Sequence, residues 1–229
     1  MTALYDKLNT FFLLLRKGDM QGIKSILTCR LKKDEVCYLL CRKTGHPPIK
    51  YAEDDTLQIK HLSGEKLVTA LSDTEERTAG ERLYFERRKR LVKYKIGRCY
   101  VSFDEAGIPC HFQWIFDHKD NGKLADHFHG EFPFIAPEEF ILEHALTLPS
   151  HRGEKIHDRA QSNIIALEER NPGIRRCTRF INPQNVPAMR TARKLGFVPI
   201  MRRKERWFFF THRFVFERYE NGMDKHLNG

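Results

Sequence analysis

The chain has 229 residues, 41% of them hydrophobic and 31% charged, with a formal net charge of +10. That length supports one sizeable core and one or two domains, and the composition excludes gross disorder and low-complexity repeats. The longest apolar run, "FFLLL" at 11–15, is far short of the ~20 residues of a membrane span and lacks the flanks of a signal peptide, so a cytoplasmic location is expected.

Helical periodicity at Leu4, Leu8, Phe11, Phe12 and Leu15 stops at Lys17-Gly18, and a second short helical stretch follows at Ile23, Ile26 and Leu27. "EVCYLLCR" (35–42) reads as a strand closed by Gly45 and Pro47-Pro48. The acidic "AEDD" at 52–55 is taken as a boundary. It separates an N-terminal extension, 1–51, from a main domain, 52–229. The apolar face of the extension is expected to pack on that domain or on a second copy in a homodimer.

In the main domain, "LQIKHL" (57–62) is a strand and Leu67–Leu71 a short helix. Residues 79–95 form a basic helix offering Leu83, Tyr84, Leu91 and Tyr94 for burial, with the basic side chains forming a solvated face. "CYVSF" (99–103) and "HFQWIF" (111–116) flank Asp104-Glu105-Ala106-Gly107, a hairpin signal. "DHKDNGKLADHFHG" (117–130) concentrates titratable groups, but no pair has the helical i, i+4 spacing of a zinc site. It is read as a polar loop beside an acceptor pocket, with no metal.

"EFILEHALTL" (139–148) is a strand. Alternation places Ile141, Glu143, Ala145 and Thr147 on one face and Leu142, His144, Leu146 and Leu148 on the other. A helix over 154–170 aligns Ile156, Ala160, Asn163, Ile164 and Leu167. "IRRCTRFI" (174–181) is a strand, 186–195 a short helix, and "RWFFFTHRFVFE" (206–217) one strand or two. Early hairpins followed by β-α-β-α-β argue a mixed α/β sheet. Six cysteines without a CxxC pair read as reduced thiols. Residues 151–229 hold 17 basic against 8 acidic residues, which points to an anionic partner.

The turn "LPSHRGEKIHDRA" (148–160) gives that partner a place. A strand ending at Pro149 and a helix starting near Glu154 leave backbone N–H groups open beside Arg152 and Lys155, and Gly153 permits close backbone approach. Such a turn is either a phosphate cradle or an ordinary surface turn.

From about residue 56 onward the sequence resembles the GNAT superfamily of acyl-CoA N-acyltransferases. "LTLPSHRGEKIH" is similar to the family's pyrophosphate-loop motif, V-x-P-x-(Y/H)-(Q/R)-G-x-G-x-G, and "NVPAMRTARKLGF" to its N-x-x-A-x(7)-G-F helix and strand. The resemblance implies a mostly antiparallel sheet flanked by helices, with a splayed central strand pair. It implies a co-substrate, acetyl-CoA or another acyl-CoA, with its pantetheine arm on backbone groups of Leu146, Thr147 and Leu148. The pyrophosphate would lie on the N–H groups of Arg152, Gly153, Glu154, Lys155, Ile156 and His157, and Asn185 near the thioester. Lys155 and His157 replace the motif's later glycines, and the tyrosine that serves many members as general acid falls on Ala192.

N-acylation also needs a base for the amine. Glu143, a carboxylate on an apolar strand, is the preferred candidate and His144 the alternative; a structural ion pair is the competing role for Glu143. Two further readings stay open: acyl transfer from an acidic acyl-carrier protein, and a degenerate fold of this kind that serves as a ligand-sensing or interaction domain. Charge alone favours nucleic acid, without a stacking or helix-turn-helix pattern to support it. The amine acceptor, a small molecule or a protein, is not specified by these residues.

Overall fold

The computed structural model describes residues 16, 20, 32–45, 57–72, 79–208 and 211–220. Eight strands form one sheet in the order β2-β3-β4-β5-β6-β1-β7-β8. They are β1 (Lys32–Lys43), β2 (Gln58–Leu62), β3 (Arg98–Phe103), β4 (Pro109–Asp117), β5 (Glu139–Thr147), β6 (Arg176–Ile181), β7 (Val198–Phe208) and β8 (Thr211–Arg218). The helices are α1 (Gly64–Ser72), α2 (Ala79–Lys93), α3 (Asn121–Phe128), α4 (Ile156–Glu168) and α5 (Val186–Lys194). Every strand pair is antiparallel except β5–β6. None of the helices described is long and apolar enough to cross a membrane.

The sheet separates two apolar layers. Phe112, Trp114, Phe116 and Ile141 pack beneath α1, α2 and α3 through Leu71, Leu91 and Leu124. On the other face Leu40, Ile115, Phe140 and Leu142 meet Ile164 of α4 and Met189 of α5. Several polar residues enter this second layer with partners. Glu168 of α4 accepts from both Nη1 and Nη2 of Arg98, each at 2.9 Å, and from the Tyr100 hydroxyl at 2.6 Å. Arg42 of β1 donates to the Leu195 carbonyl at 2.8 Å and to Glu169 at 3.1 Å.

Several expectations are corrected. The strand assigned to the extension is β1, which lies inside the sheet, paired with β6 on one side and β7 on the other. Tyr38, Leu39 and Leu40 are buried, so residues 32–43 belong to the core and not to an appendage. The helical patterns at 4–15 and 23–27, like "AEDD" itself, lie outside the described residues.

The loop expected at 117–130 contains a 3-10 turn and α3. Asp117 caps that turn, Asp120 accepts from the Gly97 N–H, and His127 stacks on Tyr94. In α4 the buried face includes Gln161, Ile165 and Glu168, while Leu167 is exposed. Hydrogen bonding to the sheet holds Gln161 and Glu168 inward against their polarity. In α2 the solvated face expected of the basic helix is broken by Arg88, which is buried along with Phe85. Leu83 and Tyr84 are not among its described side chains. "RWFFFTHRFVFE" resolves into parts of β7 and β8, paired antiparallel.

A chain truncated to begin at residue 52 loses β1 and leaves β6 and β7 without a shared neighbour. It is expected to show no cooperative unfolding transition by urea denaturation followed by circular dichroism; a cooperative transition close to that of the full chain would contradict this role for β1.

Candidate active site

Strands β5 and β6 pair only at Glu139–Arg176, Phe140–Cys177 and Ile141–Thr178. Beyond that point β5 continues to Thr147 and β6 to Ile181 without a ladder between them, which is the splayed pair expected from the motifs. A cavity of about 1190 Å³ occupies the opening. Its wall includes Leu142, Gln113 and Arg179 from the α4 side of the sheet and His144, Phe180 and Arg203 from the other, so the slot passes through the sheet.

A bulge widens it. The β4–β5 register runs His111–Thr147 and Phe112–Leu146, then Trp114–Glu143, leaving His144 and Ala145 opposite the single residue Gln113. His144 adopts φ +53, a left-handed conformation costly for any side chain. Arg88 holds it there, donating to the His144 carbonyl at 3.1 Å and the Ala145 carbonyl at 2.9 Å.

The extra residue reverses the alternation expected after Glu143. His144 packs on Phe116 and Phe128, and Leu146 and Leu148 join the layer of Ile141, while Thr147 turns to bond His111 of β4 at 2.8 Å. Arg88 and the bulge were missed in the sequence, because nothing local distinguishes this arginine from its basic neighbours.

Both base candidates line the cavity. Glu143 Oε1 accepts from the Phe180 N–H at 3.0 Å, so the carboxylate spans the gap between the strands. Desolvation raises its pKa, against the opposing charge of Arg203 and that hydrogen bond. His144 is held neutral: burial lowers its pKa well below the usual value, as do Arg87, Arg88 and Arg203, and its buried Nε2 has no hydrogen-bond partner.

At the other end, the turn differs in detail from expectation. A 3-10 turn at Pro149–His151 precedes it and α4 begins at Ile156 rather than Glu154. Gly153 has φ +93, and a Cβ built there would meet nothing within 4 Å. Lys155, at the motif's second glycine, has φ +57 and keeps the left-handed geometry that glycine adopts without strain.

His157 stands against His111, with burial and then Arg179 lowering its pKa to about 4, so it adds no charge toward an anion at neutral pH. Ile156 packs its side chain in the core with Leu57, Cys110 and Ala160. Of the residues expected to bind CoA, Glu154 alone does not line the cavity. Asn185 lines it and also caps α5, accepting from the Ala188 N–H at 3.2 Å. Ala192 is buried in the core beneath α5, so the tyrosine position of the motif does not face the slot here. No tyrosine is found among the described residues lining the cavity.

No family model matches this sequence. No curated protein matches it either. Solved structures do. The chain is similar to a GCN5-related glucosamine N-acetyltransferase region of a fungal multi-domain GH3 β-N-acetylglucosaminidase, with a TM-score of 0.51 and 12% identity over 82% of this chain and 22% of that one. It is also similar to a putative GNAT-family acetyltransferase from Novosphingobium aromaticivorans (TM-score 0.46, 13% identity, 82% of this chain and 66% of that one). A third is a GNAT-family acetyltransferase from Colwellia psychrerythraea (TM-score 0.47, 12% identity, 86% and 61%). The chain thus spans less than two thirds of the length of these solved chains. Its fold is the GNAT fold.

If Arg88 holds the bulge, Arg88→Met leaves two carbonyls without their donor and should lower unfolding stability by about 1–3 kcal/mol in urea titrations. Stability equal to wild type would show that the bulge maintains itself.

Proposed function

We propose that the protein is an N-acyltransferase that moves an acyl group from CoA to a primary amine. The observation that carries this reading is one continuous cavity joining the basic turn at 152–157 to Glu143 through the gap between β5 and β6. From Leu148 back to Leu142 is six strand steps of ~3.3 Å, about 20 Å, which suits an extended pantetheine arm.

The slot's ends differ in charge. Arg152, Lys155, Arg190 and Lys194 line the side where a pyrophosphate would lie, and the N-terminus of α4 adds its dipole. The far side carries Glu35, Glu131, Glu143 and Glu205, among Arg87 and Arg203. Carboxylates there favour an ammonium group.

In the reaction, Glu143 takes a proton from that ammonium, the freed nitrogen pair attacks the thioester carbonyl carbon, and the C–S bond breaks as the amide forms. The nitrogen gives up its second proton to water as the C–S bond breaks, and the thiolate departs as a weak base and takes its proton from that water, since neither Ala192 nor a described tyrosine is placed to give one. His144 is neutral and lines the same space, so it is the alternative acceptor of the proton.

Acyl-carrier-protein donors would use the same slot with the basic last third as docking face. A ligand-sensing role would keep binding without turnover.

Two experiments test the reading. Gly153→Val should abolish CoA binding in calorimetry while the thermal melt stays cooperative; unchanged CoA affinity would remove the turn from the binding site. Because Glu143 must be ionised to accept a proton and its pKa is raised, the acid limb of kcat should lie above the ordinary carboxylate range, with activity rising as pH increases through it. Glu143→Gln should lower kcat ~10²–10⁴-fold and remove that limb. If His144→Ala does this instead, the base is the imidazole.

A further inference from the structure

Arg179 is the first residue of β6 beyond the last pair it shares with β5, at Thr178, so it stands at the apex of the slot. It is 5% exposed, yet it lines the cavity. Among the described residues no carboxylate forms an ion pair with it. Glu143 and, more weakly, Asp158 are near enough for their charge to be felt, but Glu143 accepts from the Phe180 N–H, and Asp158 is engaged by the Thr191 hydroxyl at 2.5 Å and Lys194 at 3.9 Å. Its one hydrogen bond runs from Nη1 to Gln161 Oε1, and its buried Nε has no partner.

The surrounding amides fix this arrangement. Gln161 Nε2 donates to Gln113 Oε1 at 2.9 Å, and Gln113 Nε2 donates to the carbonyls of Trp114 at 3.0 Å and Glu143 at 2.7 Å. The Gln161 oxygen that faces Arg179 is thus set by its own amide's commitment to Gln113. The guanidinium is oriented by a neutral network and lies over the Phe197 ring, 5.8 Å from its centroid, with no carboxylate in contact with it.

A buried, unpaired cation is strongly destabilising, and a guanidinium does not escape by losing its proton. Its planar fork matches a carboxylate. On the reading proposed above, the pyrophosphate lies at the turn and the arm runs toward the apex, so the group that reaches Arg179 is the acyl chain. We infer that the acyl group carried by the donor ends in a carboxylate, a dicarboxylic acid joined to CoA through one end, and that Arg179 is its specificity-determining residue. A simple acetyl group would give the guanidinium no carboxylate in contact.

The test is calorimetric, on the full chain, with CoA, acetyl-CoA, malonyl-CoA and succinyl-CoA as probes. Wild-type protein should bind malonyl- or succinyl-CoA about 10–100-fold more tightly than acetyl-CoA, as a charge-assisted contact at a buried site provides. Arg179→Gln, which keeps an amide for Gln161 and drops the charge, should abolish that difference. Equal wild-type affinities for all the thioesters, or a preference that survives Arg179→Gln, would overturn the inference while leaving CoA as the donor. The wild-type comparison stands even if the variant does not fold. Binding of none of the four would overturn the CoA reading together with this one.

Discussion

The structure depends on two parallel strands that pair for three residues and then part. Separating them past Ile141 and Thr178 takes backbone groups out of a ladder in the middle of the sheet, where unpaired N–H and C=O groups are costly. The protein answers with side chains. Glu143 takes the Phe180 N–H across the gap, and at the β4–β5 bulge beside it Gln113 takes the Glu143 carbonyl and Arg88 the next two carbonyls on β5. Each compensating group also lines the cavity, so what keeps the slot open also shapes its chemistry.

The opening persists because β6 is anchored on its other edge. β1 pairs with β6 from Tyr38–Ile181 to Lys43–Arg176, covering the whole of the short strand, and then carries β7 and β8 beyond it. Helix α4 is tied to the β2–β5 half of the sheet through Arg98 and Tyr100, and the residue just past its end, Glu169, is tied to the other half through Arg42. Each of these arginines has a carboxylate in contact, which makes Arg179 stand out by contrast: it is buried, with a neutral amide and the Phe197 ring against it and no carboxylate in contact.

Much of this was legible in the sequence. The hairpin at 104–107, the order of strands and helices from 139 on and the turn at 152–157 follow from turn chemistry and periodicity, which are local. The GNAT motifs added the parting of β5 from β6. What was not legible is non-local. The acidic stretch at 52–55 looked like a boundary, yet β1 crosses back to pair with strands some 140 residues later, and no local signal encodes that partner. Alternation along β5 failed at His144 because the bulge is held by a distant arginine on α2. The face of α4 was misjudged because burial of Gln161 and Glu168 is decided by partners on β4 and β3.

The central claim, that CoA lies along the freed edge of β5 with its pyrophosphate on the turn before α4, is tested most directly by amide hydrogen exchange with and without CoA. The account predicts slowed exchange at the backbone amides of 153–157, and along the β6-facing edge of β5 between Leu142 and Thr147. Protection confined to other segments, or none with CoA bound, would contradict it.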